Sequence, residues 1–401
     1  MDPIVLNNVA VFDGTGTAAR PGMRVEVAQG RIAEVGPALE ADAAHGDRTV
    51  IDLEGATLLP GLIDLHVHLV WDGSADPVAT NERDGVQLTV IKAVENTRRT
   101  LLSGITTVRD VGSIDDIAIT LARACARGVF TGPRIVASGQ TLIMTGGHDP
   151  FWGIMVDGVD EAVKAVRRQV YAEAGVIKLS ATGGVYGRTS GEDVGQAELS
   201  RDEIEAICRE AHRFGLQVAA HAIGEEGIAN AVHSGVDTIE HGHFITPELA
   251  AEMARRGTVL IPTLFVYRQI ASMPGIPAYA QEKAQAIVER HRLAVRHARE
   301  ACVLVGAGTD AGSPLTPHPS LVDELLCLVD AGLTPAEALM AATGDAARIL
   351  SLEDEIGTVE TGKAADLVAV GGDPTTDVAR LRDVSLVVKE GRVVRHLPPR
   401  S

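Results

Sequence analysis

The stretch LLPGLIDLHVHL, residues 58–69, lies where the pattern of the sequence changes. Before it, short runs alternate apolar and polar residues and are separated by Gly, Pro and Asp, which predicts β-strands. These runs cover residues 4–12, 24–28, 31–35 and 49–52, and similar runs near the end cover residues 367–370, 384–389 and 392–395. Neither end has enough apolar residues for its own core, so we expect both ends to pair into one small β domain.

After this stretch, short apolar runs alternate with stretches of helical periodicity. The runs cover residues 105–108, 135–137, 176–179, 218–220, 238–239, 259–261 and 303–305, and clear helical stretches cover residues 200–214 and 225–233. About eight such repeats over roughly 250 residues are typical of a (β/α)8 barrel. A doubly wound open sheet is the alternative, but no GxGxxG follows the first strand.

The predicted fold is therefore of the α/β class: a (β/α)8 TIM barrel with a small β-sandwich domain formed by both chain ends. We place the first part of the sandwich at residues 1–58, the barrel at 59–354 and the second part of the sandwich at 355–401.

The composition of the 401 residues restricts the partners. Apolar residues make up 45% and charged residues 22%, a globular balance, and 36 Lys+Arg against 54 Asp+Glu give a net charge of −18. Nucleic acid and anionic membranes need a basic face, so the charge disfavours both. The expected partner is a small-molecule substrate. We find no secretory signal and no apolar run of the ~20 residues that span a bilayer. Four scattered cysteines form no metal or disulfide pattern, which predicts a cytoplasmic protein.

Polar residues follow several of the predicted barrel strands. His66 and His68 are two residues apart on a strand, so their rings share one face and could bind one metal ion. Four more residues follow later strands: Lys178, His221, His241 and Asp310. Each alone has an ordinary explanation: a hydrogen-bonded histidine, an outward-pointing lysine or a helix cap. Together they lie where TIM-barrel active sites form, and they could hold two divalent metal ions.

The order of these residues resembles the amidohydrolase superfamily over essentially the whole chain. Further matching segments are TTVRDVG (106–112), GTDAG (308–312) and ETGKAADLVAVGGDP (360–374). Three others, TGGHDP (145–150), VIKLSATGGV (176–185) and IEHG (239–242), resemble its branch of metal-dependent Xaa-Pro dipeptidases and carboxypeptidase-like enzymes.

The resemblance implies a binuclear metal centre. His66, His68 and Asp310 would hold one ion, His221 and His241 would hold the other, and a CO2-derived carbamate on Lys178 would bridge them. Zinc is the favoured metal, with cobalt and manganese as alternatives. A metal-bridging hydroxide would attack the substrate carbonyl, and Asp310 would pass the proton to the leaving amine.

Four residues are candidates for binding the substrate, each with a structural alternative: His148, Tyr186, Arg188 and Tyr267. Ile223 suits a hydrophobic or aromatic acyl group, and His243 either supports the centre or is structural. The remaining histidines are interpreted as ordinary surface or packing residues: His212, His233, His291, His297 and His318.

The leading functional prediction is a metal-dependent hydrolase of an amide bond in an N-acyl amino acid or Xaa-Pro-type dipeptide. The alternative is hydrolysis of a xenobiotic or mycotoxin-like amide, urea, carbamate or ester by the same centre. An inactive scaffold is disfavoured because all six ligand positions are filled. We also expect a homo-oligomer, since barrels of this kind often associate.

Overall fold

The computed structural model describes residues 3–40, 48–187 and 192–397. The strands are β1 Ile4–Val11, β2 Arg20–Ala28, β3 Arg31–Pro37, β4 Thr49–Asp52, β5 Thr57–Pro60, β6 Leu62–Val67, β7 Ile105–Asp110, β8 Arg134–Ala137, β9 Leu142–Ile143, β10 Ile154–Met155, β11 Ile177–Ser180, β12 Val218–Ala222, β13 Thr238–His241, β14 Val259–Ile261, β15 Leu367–Val370, β16 Val384–Lys389 and β17 Arg392–His396. The α-helices are α1 Pro77–Leu102, α2 Ile117–Ala126, α3 Val159–Tyr171, α4 Arg201–Arg213, α5 Glu225–Ser234, α6 Pro247–Arg256, α7 Leu264–Ser272, α8 Ala278–Glu300, α9 Leu321–Asp330, α10 Pro335–Ala341 and α11 Gly344–Ile349, and a 3-10 helix covers Val378–Arg382.

The chain divides into two compact units. The terminal unit comprises Met1–Asp64, Arg98–Thr107 and Leu321–Ser401, and the central unit comprises Leu65–Thr97 and Val108–Ser320. The domain limits proposed from the sequence, at residues 58/59 and 354/355, stay a prediction.

The terminal unit contains an eight-stranded sheet built from both ends of the chain. Its order is β17-β16-β15-β5-β1-β2-β3, and β4 pairs with β1. The two ends meet where β15 runs antiparallel to β5, with Leu367 opposite Pro60. Alternate residues such as Val25 and Val27, or Leu386 and Val388, are buried in one apolar cluster. The prediction of a single β domain formed by both ends is confirmed.

The barrel strands form sheets with the orders β10-β9-β11-β12-β13-β14 and β6-β7-β8. Strands β8–β14 lie in the central unit, and β6 and β7 end in it. The backbone amide of Gly175, two residues before β11, donates to the carbonyl oxygen of Ala137, the last residue of β8. The segment after α8 pairs in parallel with β14 through Val305 and with β6 through Ala311, which closes the barrel. Every residue of β11–β14 is buried, as expected for barrel strands covered on both faces.

Local sequence explains the helices that alternate with these strands. Ser200 caps α4 in a reciprocal capping box. Its side chain accepts a hydrogen bond from the backbone amide of Glu203, and the Glu203 side chain accepts one from the backbone amide of Ser200. Helix α5 begins at Glu225 and ends before Gly235, which adopts the left-handed conformation that glycine tolerates. Both helices lie where the periodicity predicts them. Among the described residues, no helix is long and apolar enough to cross a membrane.

Candidate metal centre

An open cavity of about 450 Å³ lies in the central unit. Its lining contains all six residues predicted as metal ligands: His66, His68, Lys178, His221, His241 and Asp310. Single ligand atoms of His66, His241 and Asp310 all lie within 4.8 Å of one another. The ring centroids of His221 and His241 are 4.7 Å apart. The structure therefore brings together residues that are spread over almost 250 positions of the sequence.

His66 is oriented by a buried carboxylate. Its Nδ1 donates to Oε2 of Glu240 at 2.7 Å, and its Nε2 lies 3.9 Å from Oδ1 of Asp310. Burial raises the pKa of Glu240, but Arg109 and His66 outweigh it and hold the value at about 2. Glu240 is therefore ionised, and it fixes the tautomer of His66 with Nε2 directed to the cavity.

His68 and His221 are each held by a backbone carbonyl. Nδ1 of His68 donates to the carbonyl oxygen of Gly112 at 2.9 Å, and Nε2 of His221 donates to that of Gly183 at 3.2 Å. A carbonyl oxygen only accepts, so Nδ1 of His68 and Nε2 of His221 each carry a proton. Histidines that bind a metal through one ring nitrogen commonly donate a hydrogen bond from the other nitrogen to such a carbonyl, which fixes the orientation of the ring.

His241 lies at the end of β13 in an unusual backbone conformation. Its φ is +72°, in the left-handed region that favours glycine, and Thr263 nearby has a φ of +52°. Nδ1 of His241 lies 2.7 Å from Oγ1 of Thr263. Such conformations persist only where the surroundings fix them, and they cluster at functional sites.

Lys178 is 2% exposed and is the second residue of β11 rather than its last. Its side chain nevertheless lines the cavity. Burial lowers its pKa, while Glu240, Asp149 and Asp310 act in the opposite direction. A long side chain thus brings a nitrogen from inside the barrel to the cavity that the histidines line.

Asp310 lies in the last barrel segment, directly before Ala311, and also has a left-handed backbone, with φ +59°. Its Oδ1 is 3.2 Å from Nε2 of His68 and accepts a hydrogen bond of 2.6 Å from Oγ of Ser313. Burial raises its pKa, but the bond to His68 and the neighbouring His66 lower it to about 2. Asp310 is therefore an ionised carboxylate facing imidazole nitrogens, which suits a cation-binding site.

The sequence profile of the Amidohydrolase family matches residues 57–394. The chain belongs to this family. Ochratoxinase of Aspergillus niger is 27% identical over 372 residues, which cover 85% of this chain and 74% of ochratoxinase. Members of the family generally bind divalent metal ions, and this amidohydrolase has a candidate His/Asp metal site.

Solved structures of the family share the fold. A Xaa-Pro dipeptidase with methionine in its active site superimposes with a TM-score of 0.90 at 30% identity, covering 98% of this chain and 100% of the other. A prolidase bound to N-methylphosphonate-L-proline gives the same TM-score, identity and coverage. The α/β fold, a TIM barrel with a β-sandwich domain built from both ends, is thus confirmed. The amidohydrolase is a hydrolase that acts on C–N bonds.

Three of the four predicted substrate residues line the same cavity: His148, Tyr186 and Tyr267. Arg188 lies outside the described residues. Nδ1 of His148 is 2.6 Å from Oε1 of Glu192, and the His148 ring stacks on His221 with centroids 4.2 Å apart. Burial lowers the pKa of His148, but Asp149 and Glu192 outweigh it and raise the value to about 9. His148 therefore places a positive charge in the cavity of the amidohydrolase.

An aromatic wall of the cavity is formed by Trp71, Trp152 and Tyr186, and its two tryptophans were not anticipated from the sequence. The rings of Trp71 and Trp152 are 4.2 Å apart, and Trp152 stacks on His68 at 4.9 Å. These are the two tryptophans of the chain, in which aromatic residues make up only 3%. Their rarity, and their positions close to His68 and His148, are the signal that could have identified them.

Two other interpretations change with the structure. Ile223 is completely buried and packs with Val266 and Tyr267, but it is not among the residues that line the cavity. The expectation that its side chain suits an acyl group is therefore wrong, because the residue lies outside the cavity lining. His291, interpreted as an ordinary surface or packing residue, is buried and hydrogen-bonded. Its Nε2 donates to the carbonyl oxygen of His241 at 2.9 Å, and its ring stacks on His243 with centroids 3.6 Å apart.

Proposed function

We propose that this amidohydrolase cleaves the amide bond of an N-acyl amino acid or of an Xaa-Pro-type dipeptide, with two divalent metal ions bound in the cavity. The observation that carries the proposal is that all six predicted ligands line one cavity, in which ligand atoms of His66, His241 and Asp310 lie within 4.8 Å of one another. The likeness to a Xaa-Pro dipeptidase and to a prolidase supports the substrate class.

The donor set fits two metal ions. Imidazole nitrogens and carboxylate oxygens are ligands that zinc prefers, with cobalt and manganese as alternatives. His66, His68 and Asp310 would hold one ion, and His221 and His241 would hold the other. The Lys178 amine would add to CO2, forming an N–C bond and releasing one proton, and the resulting carbamate would supply anionic oxygen ligands to the centre. When bound, the ions would activate a water molecule and polarise the scissile carbonyl.

Proton transfer is assigned to Asp310. Its Oδ1 would accept the proton of the attacking water and deliver it to the amine nitrogen as the C–N bond breaks. The products are then a carboxylic acid, which releases its proton to solvent, and a neutral amine. A neutral amine leaves far more readily than an amine anion. Ser313, whose Oγ donates to the same oxygen at 2.6 Å, holds the carboxylate in one orientation.

Substrate recognition is assigned to the rest of the cavity. His148 lines the cavity between Glu192 and Asp149, and we assign to it the binding of the carboxylate or carbonyl oxygen of the substrate. Tyr267 is 4% exposed, and its ring lies edge-on to that of His241 with centroids 5.3 Å apart. It would therefore contact the part of the substrate that lies beside His241. The aromatic wall would exclude water and pack against an apolar part of the substrate.

The aromatic wall also favours a second candidate, hydrolysis of a xenobiotic or mycotoxin-like amide, urea, carbamate or ester. A flat aromatic group can stack against tryptophan without needing a free carboxylate. The similarity to ochratoxinase supports ochratoxin as one compound to test.

A substrate panel tests both candidates. The protein is prepared with zinc and bicarbonate, its metal content is measured by elemental analysis, and hydrolysis is assayed on N-acyl amino acids, Xaa-Pro dipeptides, their methyl esters and ochratoxin A. We expect close to two metal equivalents and a preference for the free carboxylates. Equal rates on the esters would favour the second candidate. Trace metal with no hydrolysis of any compound would contradict both.

A further inference from the structure

We propose that His291 is a positioning residue, which fixes the backbone of His241 from helix α8 and thereby directs the imidazole of that ligand. The inference rests on the proposed function, because it assigns His291 a role toward the proposed metal centre. His291 itself lies outside the cavity lining and would touch neither metal nor substrate.

The first observation is a buried hydrogen bond. Nε2 of His291 donates to the carbonyl oxygen of His241 at 2.9 Å, and the His291 side chain is 1% exposed. The register between β13 and β14 ends at the pair Glu240–Ile261, one residue before His241. His241 thus lies where its strand separates from the next, and α8 supplies a donor at that point.

The second observation is the backbone that this bond holds. His241 has a φ of +72°, and Gly242 after it has a φ of +67°. Two consecutive left-handed residues make a sharp turn that only one of them, the glycine, adopts easily. A residue such as His241 stays in this conformation when contacts fix it. His291 holds its carbonyl, while Thr263 lies 2.7 Å from Nδ1 of its ring.

The third observation is that the His291 ring is itself held in one plane. It stacks on His243 with an interplanar angle of 23°, and Tyr267 lies edge-on to both rings. Among the described residues, neither ring nitrogen of His243 has a hydrogen-bond partner. The contribution of His243 is therefore ring stacking, which keeps Nε2 of His291 directed at His241.

A second histidine makes the same kind of bond to another proposed ligand. Nε2 of His318 donates to the carbonyl oxygen of His68 at 3.2 Å, and His318 is also buried. The same carbonyl oxygen accepts from the amide of Trp71 at 3.0 Å. Because His68 has this additional support, loss of the His318 bond is expected to affect the centre less than loss of the His291 bond.

The test compares the zinc affinity of His291→Leu and His291→Gln with that of the parent enzyme, by competition with a chromophoric chelator. Leucine removes the hydrogen-bond donor. The side-chain NH2 group of glutamine can take the position of Nε2 and donate to the same carbonyl oxygen. We expect His291→Leu to weaken zinc binding by about 10–100-fold, the usual effect of losing a residue that orients a ligand, and His291→Gln to stay within about threefold. The absorption spectrum of the cobalt-loaded protein should change in His291→Leu only.

The matched control is His297, which lies on the same helix and donates through Nδ1 to the carbonyl oxygen of Ile245 at 2.9 Å. His297→Leu loses the same kind of bond away from the proposed ligands and should bind zinc like the parent. Should His291→Leu fail to fold, His291→Asn replaces it, since its shorter amide cannot reach His241.

The outcomes separate the two proposals. A parent enzyme that binds no zinc would contradict the proposed function. A parent that binds zinc normally, with a folded His291→Leu or His291→Asn of equal affinity, would overturn the role of His291 alone. Equal weakening in His297→Leu would also overturn it, because the effect would then be a general one of helix α8.

Discussion

Nη2 of Arg109 lies 2.8 Å from Oε1 of Glu240, and both side chains are completely buried. Arg109 also donates to the carbonyl oxygen of Leu65 through Nε at 2.7 Å, and to Oγ1 of Thr238 at 3.1 Å. Glu240 in turn accepts from His66. This ion pair therefore links three barrel strands and ends at a candidate metal ligand.

Arg109→Met is expected to lower the free energy of unfolding by about 3–5 kcal/mol, because it leaves the Glu240 charge buried without its partner. Urea denaturation of the metal-free protein measures this. Adding Glu240→Gln to Arg109→Met should recover part of the loss. Arg255→Met, which breaks an exposed pair with Glu252, serves as the control and should change stability little. If Arg109→Met were as stable as the parent, the pair would not hold the strands together.

Lys178→Ala is expected to reduce kcat by several orders of magnitude, since the bridging anion would be lost from the centre. Added short-chain carboxylic acids or bicarbonate should restore part of the rate by occupying the vacated position. The control is Lys164→Ala, which removes an exposed amine on α3. Full activity and full metal content in Lys178→Ala would show that the bridge is assigned to the wrong residue.

Tyr186 allows the aromatic wall to be tested without disturbing the tryptophans. Its ring lies edge-on to Trp71 at 5.9 Å, and its hydroxyl donates to Oδ1 of Asp76 at 2.5 Å. Tyr186→Leu should lower kcat/KM for substrates with an aromatic acyl group by about 3–10-fold, the usual range for one aromatic contact. Tyr186→Phe keeps the ring and should retain most of this preference. If the ratio of kcat/KM for aromatic and aliphatic substrates were unchanged in Tyr186→Leu, the Tyr186 ring would have no role in substrate recognition.

The fold could be predicted largely because the signal is local. Each barrel strand is an apolar run between helical stretches, and β11, β12, β13 and β14 lie where those runs predict them. Strands β9 and β10 were missed because each has two residues, too few for any periodic pattern. The final segment is recognisable as an apolar run, yet it joins the barrel only through isolated pairs such as Leu260–Val305.

The candidate ligands could be proposed because the ends of parallel strands meet at one face of a barrel. The residues around them depend on tertiary contacts that the sequence does not encode locally. His291 lies on the buried side of α8, and helical periodicity predicts that its ring is buried but not that it meets His241. Trp71 and Trp152 are 81 positions apart, and no spacing rule brings them together.

Asp310→Asn separates a proton-transferring carboxylate from a simple ligand. The amide oxygen can still bind a metal ion, but it cannot accept the proton of the attacking water. General acid–base catalysis contributes about 10²–10⁴-fold, so kcat should fall by at least about 10³-fold when weakened polarisation of the carbonyl is added. Metal content, measured by elemental analysis, and the melting temperature should change little. Ser313→Ala is the control, since it removes a hydrogen bond to Asp310 and leaves the carboxylate, and its loss of kcat should be much smaller. A metal-loaded Asp310→Asn with kcat within tenfold of the parent would refute proton transfer by Asp310 and leave it only as a ligand.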